Sequence, residues 1–128
     1  MKLLLDTHAF LWFMSGDTTL SKTARSAIED ENNDIFVSPA SLWEIAIKTS
    51  ANKLTLKEPF EVLIPKELAE NEIELLGISV AHLSLVSSMP FHHRDPFDRL
   101  IIAQSKVEQM TLVSVDTVFD AYEVTRLW

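Results

Sequence analysis

The chain has 128 residues, 47% hydrophobic and 23% charged, which is the mix of a packed globular protein rather than a disordered one. Cysteine is absent, so disulfides, thiolate zinc sites and cysteine nucleophiles are excluded. A net charge of −8, from 11 basic and 19 acidic residues, argues against a general nucleic-acid coat, although divalent cations can reverse the sign of an acidic pocket.

The first residues carry one positive charge and an apolar stretch too short for a signal peptide. No later run approaches the ~20 apolar residues that span a bilayer, so the expectation is a cytoplasmic protein away from membranes. Residues 2–5 read as a strand buried on both faces that ends at Asp6. A hydrophobic helix follows over 9–14, then an amphipathic one over 20–28 capped by Ser21. Residues 35–37 supply a second strand. Ser38 as N-cap and Pro39 at the first helical position open a helix that runs to Lys48.

Pro59 starts a further helix that ends near Asn71. Ile73, Leu75 and Ile78 suggest a third strand, and 80–87 a helix. Residues 91–94 form a loop into Asp95-Pro96, which open a helix to about Gln109. A β-branched strand over 111–116 ends on Asp116, and the tail from 121 to 128 can hold a last strand. Strands alternating with helices imply an α/β three-layer sandwich: a mainly parallel central sheet flanked by helices, as one domain over 1–128.

Ligands of open parallel sheets sit beyond the carboxyl ends of the strands. Asp6 and Asp116 end strands there, and Glu44 lies early in the helix after the second strand. Asp98 lies in the first turn of the helix before the strand of Asp116, and reaches the same rim if the preceding loop approaches from that side. Two carboxylates about 5 Å apart repel by roughly 3 kcal/mol at an effective dielectric of ~20. Four in one pocket therefore require cations or strongly raised pKa values. An all-oxygen donor set points to Mg²⁺ or Mn²⁺, and to metal-assisted phosphodiester hydrolysis.

Each residue also has a structural reading. Glu44 has Lys48 one turn on, an i,i+4 ion pair. Asp95, Pro96 and Asp98 fit a variant capping box, with Asp95 as cap and possible auxiliary ligand. Asp6 can cap the next helix, Asp116 can start a turn, and Asp120 lies near enough to assist. Thr7 and Ser114 are placed to hydrogen-bond ligating carboxylates from behind. Arg94 and Arg99 flank Asp98 and either hold substrate phosphates or neutralise the acids. His8, His92 and His93 read as polar surface, and Trp12, Phe13 and Trp43 as a core or dimer-interface cluster.

With these residues in place, the sequence resembles the PIN-domain nucleases, in particular the VapC-like toxins of toxin–antitoxin pairs, over essentially its whole length. Leu3-Leu4-Leu5-Asp6-Thr7 looks like the family's opening strand and first aspartate, and Ser41-Leu42-Trp43-Glu44-Ile45 like the helix carrying its glutamate. Residues 95–104, with Asp98 in the acid position, resemble the third motif. Ser114-Val115-Asp116-Thr117 resembles the last, where Thr is commoner than Ser114. The resemblance implies an endoribonuclease leaving a 5′-phosphate on RNA, inhibited by a small antitoxin and tending to form a homodimer.

Two other enzymes that begin with a strand ending on Asp fit less well. A haloacid-dehalogenase phosphatase needs Asp where His8 stands, and a receiver domain needs an acidic pair and a late-strand lysine that are missing. A non-catalytic PIN-like protein-binding module is the alternative, though such relatives normally lose one or more of the acids present here.

Overall fold

Lys2–Leu5 form β1, in which Leu3, Leu4 and Leu5 are fully buried. The computed structural model describes residues 1–128 and explains this burial: β1 is the middle strand of five. β2 (Asp34–Val37) and β4 (Thr111–Val113) flank it, with Leu5 in register with Val37 and with Val113. β3 (Ile73–Leu75) adds to β2 and β5 (Arg126–Leu127) to β4, giving the order β3-β2-β1-β4-β5 with every pair parallel.

Side chains alternate across a strand, so one strand feeds two cores. Leu3 and Leu5 pack with Ala9, Phe10, Ala24, Ile28, Ile45 and Ile64. These come from α1 (Thr7–Ser15), α2 (Lys22–Glu29), α3 (Pro39–Ser50) and α4 (Phe60–Glu70). Leu4 packs on the opposite side with Met89, Ile101, Ile102, Phe119 and Tyr122. That layer contains α5 (Val80–Ser88), α6 (Pro96–Glu108) and a 3₁₀ helix over Thr117–Tyr122. The architecture is a three-layer α/β sandwich, and no helix is long and apolar enough to cross a membrane.

Several element ends differ from the sequence reading. The first helix starts at Thr7 instead of residue 9, because Asp6 already accepts the Ala9 N–H. It ends at Gly16, whose φ of 69° is the left-handed conformation that glycine adopts without a Cβ penalty. The second helix starts at Lys22, with Leu20 outside it. The third strand stops at Leu75 and leaves out Ile78. The fourth stops at Val113 rather than 116, since the Ser114 hydroxyl accepts the Asp116 N–H and turns the chain off the sheet. The tail strand shrinks to two residues after the 3₁₀ helix.

The three aromatics do not form one cluster. Trp12 and Phe13 pack against the first core, Trp12 edge-on to Trp128 at 5.8 Å. Trp43 is 64% exposed and meets Phe97 edge-on at 5.2 Å.

Candidate metal centre

The sheet order reverses between β1 and β4, and the chain leaves both strands at the same edge. Beyond that edge a crevice is expected. Asp6 follows β1 directly, is 5% exposed, and caps α1 through Oδ1, 2.8 Å from the Ala9 nitrogen. Asp116 follows the turn after β4 and caps the 3₁₀ helix, its Oδ1 accepting from the Val118 N–H at 2.9 Å. Asp95 caps α6, with Oδ1 accepting from the Phe97 and Asp98 N–H groups at 2.8 and 3.1 Å. These caps aim the positive ends of helical segments at the acids, which offsets part of their repulsion.

Glu44 enters from α3 and is 8% exposed. Thr7 donates its hydroxyl to Glu44 Oε1 at 2.7 Å, and Lys48 Nζ lies 3.0 Å from Oε2. The i,i+4 ion pair thus exists, but on a carboxylate turned inward and tied to the residue after Asp6.

Asp98 has no such support. The reciprocal half of a capping box is absent, because the Asp95 N–H goes to His93 Nδ1 at 3.2 Å. Its carboxylate accepts no hydrogen bond from the chain and has one close polar neighbour, His93 Nε2 at 3.0 Å. Burial pushes Asp98 up to about 8, and the charges of Asp95, Asp6, Glu44 and Asp116 add to the shift. Burial likewise raises Asp6, against the lowering effects of the Ser114 hydroxyl, the Ala9 N–H and His8, while Asp116 raises it further. The charges of Asp6, Glu44 and Asp116 thus all act on Asp98, so the four acids are electrostatically coupled.

Ser114, fully buried, turns its hydroxyl toward Asp6 and accepts the Asp116 N–H. Arg94 is exposed on the loop before α6. The expectation of Arg99 as a phosphate ligand needs correction. Arg99 is 5% exposed and donates to the carbonyls of Val86, Met89 and Pro90, with its guanidinium 4.0 Å over the Phe91 ring. Its donors are spent inside the protein, so it neither reaches a substrate nor neutralises the acids. Asp120 is also removed from the site: Arg126 holds both of its oxygens at 2.9 and 3.2 Å.

The residue missed in the sequence is His93. It is not loose polar surface, because Nε2 lies 3.2 Å from Asp116 Oδ2 and 3.0 Å from Asp98 Oδ2. The one available signal was its position two residues ahead of a helix-capping aspartate. The exposed His8 stays near Trp12, at 5.4 Å, and His92 against the Tyr122 ring at 5.1 Å.

The donor chemistry fits a hard divalent cation. Asp98 and Asp6 are the carboxylates burial penalises most, and Asp98 is the one without a hydrogen-bond donor from the chain. Carboxylate oxygens of this kind suit a hard divalent cation, and the potential ligand atoms within 4.8 Å of one another are those of Asp98, Asp116 and His93.

A family model described as PIN domain matches residues 3–124. Among solved structures, the chain is similar to VapBC2 from Rickettsia felis bound to a DNA fragment from its promoter, with a TM-score of 0.75, 18% identity and coverage of 99% of this chain and 98% of that one. VapBC-1 from nontypeable Haemophilus influenzae aligns at TM-score 0.67 and 14% identity, over 99% and 97% of the two chains. A toxin–antitoxin complex from Klebsiella pneumoniae aligns at 0.58 and 16%, over 90% and 87%. No curated protein matches the sequence significantly.

Proposed function

We propose that this chain, which belongs to the PIN domain family, is a Mg²⁺-dependent endoribonuclease and the toxin of a toxin–antitoxin pair. The observation that carries the proposal is the electrostatic coupling of Asp6, Glu44, Asp98 and Asp116 beyond the carboxyl ends of β1 and β4, with Asp98 pushed up to about 8. Carboxylates forced together at this cost are hard to account for as packing, because burying charge without compensation is destabilising.

Asp6 and Asp98 would hold the ion directly. Glu44, fixed by Thr7 and Lys48, and Asp116, fixed by the Val118 N–H and His93, would complete its surroundings. A bound Mg²⁺ or Mn²⁺ supplies Lewis acidity at the phosphate and lowers the pKa of water. The reaction is attack of water on a phosphodiester phosphorus of RNA, with cleavage of the P–O3′ bond to leave a 5′-phosphate. Asp116 has a side chain 37% exposed, against 22% for Asp98, and so lines the open side from which RNA enters. Arg94, exposed on the loop that carries His93, would pair with an adjacent phosphate.

The partner proposed is a small antitoxin protein, as in the complexes to which the chain is similar. A homodimer is supported by the outward face of α3, where Trp43 is 64% and Ile47 42% exposed. The proposed compartment is the cytoplasm, where such a target RNA resides.

The test is cleavage of a mixed RNA substrate by purified protein. Activity is expected with Mg²⁺, none in EDTA, recovery when Mg²⁺ is restored, and none for Asp98→Asn. Equal cleavage in EDTA overturns the reading.

A further inference from the structure

His93 is 17% exposed, lies outside the acid set and is wedged between two of its members. Its Nε2 hydrogen-bonds Asp116 Oδ2 at 3.2 Å and lies 3.0 Å from Asp98 Oδ2. The three ligand-capable atoms all fall within 4.8 Å of one another, which by distance alone describes a cation site with histidine as a ligand. The other ring nitrogen decides against that. Nδ1 accepts the Asp95 backbone N–H at 3.2 Å, so the ring proton is on Nε2. A metal-bound imidazole ordinarily donates its second N–H outward to a carboxylate, carbonyl or water. Here that nitrogen receives a hydrogen instead, and the face turned to Asp98 and Asp116 presents a proton rather than a lone pair.

The ring is fixed from several sides. The His93 backbone N–H donates to the Tyr122 hydroxyl at 2.8 Å, and that hydroxyl donates to the Pro90 carbonyl at 2.9 Å. The ring also packs on Phe119, with centroids 5.6 Å apart. Asp95, which orients Nδ1 through its N–H, caps the helix that carries Asp98. The chemistry of this arrangement is that of a donor built into the site.

We infer that His93 is a positioning residue that holds Asp116 through its Nε2–H and, lying against Asp98, fills the space between the two acids, so that the site accepts one divalent ion. The inference rests on the metal-site reading above and adds to it both an ion count and a residue that sets it. The imidazole fills the space between Asp98 and Asp116 that a second cation would need. By holding Asp116 Oδ2, it leaves the Asp98 carboxylate, which accepts no hydrogen bond from the chain, to the ion.

The test is Mn²⁺ titration of the full chain by calorimetry and by electron paramagnetic resonance, on wild type, His93→Ala and His93→Gln. Melting in EDTA confirms that each variant is folded. Wild type is expected to bind one Mn²⁺ per chain. His93→Ala is expected to lose ten- to hundredfold in affinity, the usual effect of removing a group that orients a metal ligand. His93→Gln, which keeps an N–H at similar reach, is expected to recover most of that loss.

Two ions in wild type, an unchanged His93→Ala, or a glutamine variant as weak as the alanine one overturns the inference. Long-range ¹H–¹⁵N spectra of the wild-type imidazole give a check that needs no variant: a proton on Nε2 supports the inference and a proton on Nδ1 overturns it. If wild type binds no Mn²⁺ at all, the metal-site reading itself fails, a pattern distinct from the others.

Discussion

Thr7 donates its hydroxyl to Glu44 at 2.7 Å, linking the first residue of α1 to a residue of α3 37 positions later in the chain. The bond leaves Oε2 for Lys48 and fixes the direction of a carboxylate that is otherwise free to rotate about its side chain. Thr7→Val keeps the shape and removes the donor. Metal affinity and RNA cleavage are expected to fall ten- to hundredfold, while stability changes by about 1 kcal/mol. Calorimetric Mn²⁺ binding and the melting temperature separate the two effects.

Asp6→Asn keeps the cap on α1, because asparagine accepts the Ala9 N–H as well as aspartate does. It removes a charge that burial and Asp116 both disfavour. Cleavage is expected to drop by about a thousandfold or more, the equivalent of several kcal/mol of transition-state stabilisation. In EDTA at pH 8 the variant is expected to melt no lower than wild type. A clear loss of stability there means that Asp6 serves the fold rather than a metal.

Asp98 has a native pKa raised to about 8, whereas in the unfolded chain it is about 3.9. The stability linked to its proton is fully present below about pH 4 and is lost as pH rises through about 8. In EDTA the melting temperature is therefore expected to fall between pH 5 and 8, and Asp98→Asn to flatten that fall. Because the ion binds the ionised form, Mn²⁺ affinity is expected to rise over the same window with proton release. Affinity independent of pH from 6 to 8 contradicts the assignment.

Arg99 holds the carbonyls of Val86, Met89 and Pro90 beneath the loop that carries His93. Without Arg99 the Met89 carbonyl loses its donor, at roughly 1–3 kcal/mol, while Pro90 keeps the Tyr122 hydroxyl and Val86 the Met89 N–H. Arg99→Ala is expected to cost about 1–3 kcal/mol in denaturant unfolding. Arg99→Lys is expected to recover little of it, since an ammonium cannot span the guanidinium's set of acceptors. A variant with native stability but weakened RNA binding contradicts this role.

Sequence signals were strongest where one residue does its work locally. The run Leu3-Leu4-Leu5 is apolar throughout because both faces of β1 are covered, and Pro39 and Pro96 mark helix starts through chemistry within a few residues. The acids at strand and helix ends stood out for the same reason. The partners of Arg99 are backbone carbonyls up to 13 residues upstream, which no side-chain pattern advertises. His93 looked like one of two loop histidines until the fold carried Asp116 to it across 23 positions. The 3₁₀ helix over Thr117–Tyr122 depends on burying Phe119 and Tyr122 under the second core, a tertiary contact that overrides weak local preference. Trp43 reads as core or dimer interface, and its outward face, 64% exposed, leaves only the second of these open.

The most direct test is anomalous scattering from a crystal grown with saturating Mn²⁺. The account requires a single strong peak at a bonding distance of about 2.1 Å from carboxylate oxygens of both Asp6 and Asp98, with His93 still on Asp116. Density showing no ion between Asp6 and Asp98 at saturating Mn²⁺ contradicts it.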